Sequence, residues 1–201
     1  MHVEKNICES HLCTMVGLDK KTKDTEYARQ DLADMHIRLE LHLRNRSNGI
    51  QEKPRASYTL GPKEKDGFYQ YLKSIKYPDG YAVNLSRCVT SKNGRLAGLK
   101  SHDCHVLLQR LFPIGMRGYM NKEICTTLFE LGCFFENICS KTLKLSNLEE
   151  LENKIILILC KLERIFPPAF FDVMVHLAVH LPREVMLAGS VQYRWMYPIE
   201  R

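Results

Sequence analysis

Two groupings of side chains in this sequence could do chemistry. Ser101-His102-Asp103-Cys104-His105 puts five polar or metal-capable groups at the start of a helix, and His176-x-x-x-His180 sets two imidazoles on one helical face. Imidazole nitrogens and a thiolate suit zinc, which makes His102, Cys104, His105, His176 and His180 the metal-ligand candidates. The spacing argues against that use. Ser and Asp at a helix start are accounted for by capping and the helix dipole, and a catalytic HExxH pair needs a glutamate that the residues between His176 and His180 do not supply. No metal or other cofactor is therefore expected. No GxSxG occurs, and no cysteine stands in the Gly-rich or basic surroundings that depress a thiol pKa. Lys92-Asn93-Gly94-Arg95 offers turn amides and two cations without the Walker pattern, so it reads first as a structural turn, with a backbone-phosphate contact left open. The run from Val191 to Arg201 is rich in aromatics and arginine, and Trp195 and Tyr197 read as packing anchors.

These residues must be positioned by helices. Val3, Ile7, Cys8, Leu12, Met15 and Val16 recur at three- and four-residue steps, predicting a helix over 2–16 that closes at Gly17. A second short helix is expected from Thr25 to Met35, then a polar loop or linker from Arg44 to Ser57. Gly61-Pro62-Lys63-Glu64 opens a third helix, with Pro in its first turn, that stops before Pro78. Asn93-Gly94 predicts a tight hairpin near 87–97, the one convincing piece of β structure. From residue 101 the pattern is helical: Ser101 and Asn121 are expected N-caps, Ser146 with Glu149 a capping box for a helix to Ile165, and Pro167-Pro168 and Leu181-Pro182 are breaks. The expected fold is mainly α, a helical bundle with one small hairpin. Burial of Phe170, Phe171, Leu177 and Trp195 should stabilise its second half.

With 201 residues, 45% hydrophobic and 26% charged, the chain can bury an ordinary core. Its longest aliphatic run, Ile155 to Cys160, falls far short of the roughly 20 residues a membrane-spanning helix needs. No membrane association and no secretory leader are expected. The eight cysteines form no CxxC pair and read as reduced core thiols. Net charge is +6, all of it in residues 1–100, where 18 Lys+Arg face 12 Asp+Glu, against 11 of each in 101–201. A locally basic half suits a polyanion, with Lys53, Arg55, Lys63, Lys65, Lys92 and Arg95 as the expected phosphate contacts. The alternative is a solvated surface.

Six ordered blocks carry a resemblance: residues 1–6 (MHVEKN), 23–25 (KDT), 78–81 (PDGY), 98–105 (GLKSHDCH), 166–172 (FPPAFFD) and 191–198 (VQYRWMYP). They resemble plant En/Spm (CACTA-class) transposases over essentially the whole chain. On that likeness, residues 1–100 are the basic end of a transposase domain. Residues 101–201 are then a helical plant domain of unknown function, DUF4218-type, most characteristic from about residue 130. The resemblance implies ancestry in a cut-and-paste nuclease with an RNase H-like core, in which acidic residues hold Mg2+. Relatives usually carry an Asp just upstream of the block at 1–6, and of that acid–histidine pair only His2 stands in this sequence. Glu200 is the candidate for the family's last acid. Two-metal chemistry needs several carboxylates converging on ions about 4 Å apart, so no catalysis is expected of the chain as it stands.

The leading expectation is thus a transposon-derived, catalytically inactive fragment that binds DNA nonspecifically or binds protein, without a small-molecule substrate. Two alternatives stand beside it: part of an active transposase that needs missing upstream sequence, and a domesticated helical interaction module. The missing N-cap ahead of the first helix and the mid-pattern end at Arg201 lead to the expectation that the chain is cut at both ends. The resemblance implies a nuclear location, its absence a cytoplasmic one.

Overall fold

The N-terminal periodicity becomes α1, His2–Val16, in a computed structural model that describes residues 2–18, 21–45, 49, 51–77, 85–90, 95–96 and 98–193. Gly17 ends the helix at φ +65°, and the Leu18 N–H donates to the Cys13 carbonyl at 2.9 Å, the wrapped terminus that a left-handed glycine permits. Ile7, Cys8, Leu12, Met15 and Val16 are buried, but so are Glu4, His11 and Thr14. An amphipathic surface helix would keep such polar residues wet. Instead α1 lies inside, packed against α4 (Ser101–Val106) and α8 (Val173–Leu177).

Capping chemistry sets most of the other boundaries. Helix α2, Glu26–Asp34, starts where the Thr25 hydroxyl accepts from the Ala28 N–H at 3.1 Å. Helix α3, Pro62–Ser74, starts with proline in its first turn and Glu64 accepting from the Gly61 N–H at 2.5 Å. Asn121 caps α6, Lys122–Ile138, through the Ile124 N–H at 2.9 Å.

Two expected caps are not made. Lys100, not Ser101, is the N-cap of α4, and Asp103 accepts the Lys100 N–H at 2.9 Å. Helix α7, Leu145–Ile165, begins one residue ahead of Ser146, which puts that serine inside the helix and dissolves its box with Glu149. A third correction concerns Leu181-Pro182. The chain passes through a 3₁₀ turn at Ala178–His180 into α9, Leu181–Ala188, where Pro182 occupies a first-turn position that needs no N–H. Between α4 and α5 (Phe112–Met116) lies a π turn, Leu107–Leu111. Pro113 has no N–H for the Gln109 carbonyl, and the Phe112 N–H reaches back five residues to Leu107 instead.

The expected hairpin is present as β3 (Val89–Thr90) paired antiparallel with β4 (Arg95–Leu96), while its Lys92-Asn93-Gly94 turn lies outside the described residues. The 44–57 stretch holds a second ladder that its polar sequence hides: β1 (Arg44–Asn45) pairs with β2 (Gln51–Glu52), Arg44 opposite Glu52.

The buried side chains, from Ile7 to Val185, form one continuous core. At its centre Phe166 and Phe170 stack at 4.3 Å, and the His11 ring meets both edge-on at 5.3 and 4.7 Å. Phe171 and Leu177 are half-buried, and Trp195 lies outside the described residues. All eight cysteines are free thiols; Cys8, Cys13, Cys88, Cys104 and Cys139 are core residues, whereas Cys160 is exposed. No described helix is long and apolar enough to cross a membrane.

Among the described residues one charged contact is fully internal. Arg29, at 0% exposure, donates Nε and Nη2 to the two oxygens of Asp24 at 2.5 and 2.7 Å, and Nη1 to the Leu41 carbonyl at 2.7 Å. Lys53 Nζ donates to the Asp24 carbonyl at 2.7 Å. Removing one partner of such a pair strands the other charge, so Arg29→Met should cost about 3–5 kcal/mol in urea unfolding. Asp24→Asn combined with Arg29→Met should cost clearly less than that single change.

His11 gives a pH signature. Burial lowers its pKa from 6.5 to about 4, because the ring cannot be hydrated when charged. Its folded pKa lies below the unfolded value, so the stability it contributes is full above pH 6.5 and lost as pH falls toward 4. Between pH 7 and pH 4 the protein should lose about 3 kcal/mol more than His11→Leu does, read from denaturant midpoints at each pH. Parallel curves for the two proteins would contradict this.

Candidate functional site

Arginine side chains from four places in the sequence converge on one cleft of about 750 Å³. Arg38, Arg44, Arg55 and Arg164 line it with Glu40, Glu52 and the ring of Tyr58. Each wall has a local cause. Arg38 sits at φ +51° and donates Nη1 to the Ile165 carbonyl at 2.8 Å and Nη2 to the Glu163 carbonyl, covering the last turn of α7 where carbonyls lack partners. Arg44 stands on β1, held by its ladder to β2. Arg55 Nε donates to the Thr59 carbonyl at 2.9 Å, and its Nη2 pairs with Glu64. Arg164 comes from the final turn of α7 with its side chain 77% exposed, 3.9 Å from Glu123.

The floor is fixed by the Asp24–Arg29 pair, which grips Leu41 and, at 3.4 Å, the Pro54 carbonyl. Burial, followed by the nearby Asp24 charge, pushes the Tyr58 hydroxyl pKa up and keeps it neutral. Four arginines and two glutamates line the cleft, with Glu64 and Glu123 paired to Arg55 and Arg164 beside it. Guanidinium groups fixed this way match the oxygens of phosphate.

A second grouping lies between α1, α4 and α6. Glu4, 2% exposed, accepts from Gln109 Nε2 at 2.8 Å, and both its oxygens lie 3.0 Å from His105 Nδ1. Cys139, the residue that closes α6, completes a trio whose ligand atoms all lie within 4.8 Å of one another. Its thiol pKa is pushed up to about 12, first by burial and then by the Glu4 charge. Gln192 Nε2 donates to the Cys139 carbonyl at 2.8 Å. Glu4 and Cys139 also line a cleft of about 290 Å³ with His2 and Glu184. The helices approach this closely because of Gly132, where an added Cβ would stand 2.9 Å from the Leu108 carbonyl oxygen of the π turn.

The residues singled out in the sequence are distributed unevenly over these sites. Of the six expected phosphate contacts, Arg55 lines the arginine cleft, Lys53 is engaged on Asp24 beside it, and Lys63 and Lys65 lie in the first turn of α3. Arg95 lies in β4 and Lys92 falls outside the described residues. Arg38, Arg44 and Arg164 were missed. Arg44 had a signal in its polar, arginine-containing stretch, but the meeting of Arg38 with Arg164 across 126 positions leaves no local trace.

The five metal candidates are not gathered either. His105 joins Glu4 and Cys139, its ring 6.1 Å from that of His102. Cys104 is buried in contact with Cys8, and His176 and His180 face each other on the surface with Nε2 atoms 3.2 Å apart. His2 is exposed at the rim of the smaller cleft, and Glu200 lies outside the described residues. The Mg2+ implied by the transposase resemblance asks for carboxylate oxygens. Among the described residues the one convergent set of three or more possible ligands offers a single carboxylate with a nitrogen and a sulfur, so it does not fit that ion.

Residues 138–201 match the family model described as Domain of unknown function (DUF4218), in a region that runs from the end of α6 through α7, α8 and α9. No curated protein and no solved structure matches this chain.

Gly132→Ala should force α6 away from the π turn at a cost of about 1–3 kcal/mol, because a rigid backbone oxygen occupies the space. Chemical denaturation measures that loss. Gly118→Ala, where nothing lies within 4 Å of the added carbon, is the control expected to show little change.

Proposed function

We propose that the chain is a transposon-derived, En/Spm transposase-like segment that acts as a non-catalytic nucleic-acid-binding module. Its nuclear site of action and its ancestry in an RNase H-like transposase belong to the same reading. The observation that carries it is the convergence of Arg38, Arg44, Arg55 and Arg164 on one cleft. Support also comes from the six sequence blocks. Phosphates neutralised in such a cleft release counterions, and no base-reading element is needed for the contact, so binding is nonspecific and salt-dependent. The cleft joins the basic N-terminal half to the end of α7, which makes the C-terminal half part of the binding surface.

A second reading, a protein-interaction module, is favoured by a groove between α6 and α7 where Phe129 and Leu157 remain 58% and 62% exposed. One titration separates the two. Fluorescence anisotropy of a labelled duplex should show affinity falling steeply with salt. Arg44→Glu with Arg164→Glu should weaken binding at least about tenfold and flatten the logarithmic salt slope by about 2, since each phosphate contact contributes about 0.9. Both side chains are exposed, so the fold should be spared. Equal binding at low and moderate salt, or full affinity in the double variant, would leave the interaction-module reading standing instead.

A further inference from the structure

We propose that Glu4, His105 and Cys139 form a binding site for a divalent transition-metal ion of the zinc class. The proposal departs from the expectation of no metal drawn from His102–His105 and His176–His180, because it uses one residue of the first group with two that lie far away in sequence. It is independent of the nucleic-acid reading.

Three observations converge on it. The first is distance: the three ligand atoms lie within 4.8 Å of one another, and the edges of a tetrahedral zinc site are about 3.3–3.8 Å given metal–ligand bonds near 2.0–2.3 Å. Small side-chain rotations close that gap.

The second is the way these groups already face one another. His105 Nδ1 has both Glu4 oxygens at 3.0 Å, and Gln109 Nε2 donates to Glu4 Oε1 at 2.8 Å. The imidazole nitrogen and the carboxylate thus stand close to the edge length of a metal polyhedron. With a cation between them both become ligands, and the Gln109 N–H stays bonded to Glu4 as a supporting contact.

The third is setting. Glu4 and Cys139 are 2% and 6% exposed, the trio is supplied by three different helical elements, and the π turn begins two residues after His105. Two of the ligands also line the cleft shared with His2 and Glu184, which leaves a fourth position open to water.

The donor set decides the ion. One thiolate, one imidazole and one carboxylate suit zinc or cobalt and not a hard cation. On binding, the Cys139 thiol proton and any proton on His105 Nδ1 pass to solvent. The ion clamps the start of α1 to α4 and to the end of α6.

Cobalt(II) tests this with the full chain, stripped by a chelator under reducing conditions. One equivalent should bind, with the visible bands of a tetrahedral site and a thiolate-to-cobalt charge-transfer band, and zinc should displace it. Cys139→Ser should lose the charge-transfer band. His105→Gln and Glu4→Gln should each weaken binding by about tenfold or more, and Gln109→Leu, a positioning change, by about tenfold. Cys160→Ser and His176→Ala should match the parent. Circular dichroism of every variant separates lost ligation from lost fold, and bound zinc should raise the Tm of the parent but not of His105→Gln. The proposal is overturned by absence of stoichiometric uptake, by a charge-transfer band that survives Cys139→Ser, or by uptake that depends on His176 or Cys160 instead.

Discussion

A buried ion pair holds the site side of this protein together. Asp24 and Arg29 are both withdrawn from water, and charges so placed cost several kcal/mol each unless every donor and lone pair is used. Here they are used: two parallel bonds between guanidinium and carboxylate, a third to the Leu41 carbonyl, and Lys53 on the backbone of Asp24. A pair satisfied this way has one geometry, which lends definition to stretches that have little else. Two-residue strands and a single 3₁₀ turn are too short to fix a surface alone. Flanked by the Arg29 bonds to the Leu41 and Pro54 carbonyls, they become a wall that presents Arg38, Arg44 and Arg55 toward the end of α7. Like-charged arginines tolerate this crowding because most have a separate counterweight: terminal helix carbonyls for Arg38, Glu64 for Arg55 and Glu123 for Arg164.

Helix α1 makes the second long-range connection. Its polar residues are internal because each meets a specific partner: Glu4 meets His105 and Gln109, the His11 Nδ1 bonds the Ile7 carbonyl at 2.8 Å, and the Thr14 hydroxyl accepts from the Lys23 N–H at 3.1 Å. Lys23 in turn pairs with Asp172 at 2.8 Å, the residue whose carboxylate caps α8 through Met174 and Val175. The first quarter of the chain is therefore wired to the last through polar contacts laid over a common apolar core. The arginine cleft and the Glu4–His105–Cys139 trio both lie along that wiring, and both need parts of the two halves.

Element types were largely legible in the sequence because they rest on local signals. Gly17, Thr25, Pro62 and Asn121 mark their helix ends through bonds that span a few residues, and Asn93-Gly94 announced the hairpin. The failures came where a local signal had competitors. Ser101 and Ser146 look like caps, yet Lys100 and Lys144 take those places because the helices start one and two residues earlier. Pro182 reads as a break and serves as a start. Sites were less legible than elements. Arg55 and His105 stand out in the sequence as polar residues of interest, but the residues they meet, Arg38, Arg164, Glu4 and Cys139, come from distant positions whose meeting depends on tertiary packing. Glu4 in particular reads as an ordinary first-turn acid until the fold buries it.

Phosphate binding in the arginine cleft is tested most directly by a two-dimensional NMR titration of the full chain with a short oligonucleotide. Amide and arginine Nε resonances from residues 38–45, 51–58 and 163–165 should shift together along one binding curve, while those of the α6–α7 groove around Phe129 and Leu157 stay still. Shifts confined to that groove, or no shifts near Arg44 and Arg164 at saturating oligonucleotide, would contradict phosphate binding in this cleft.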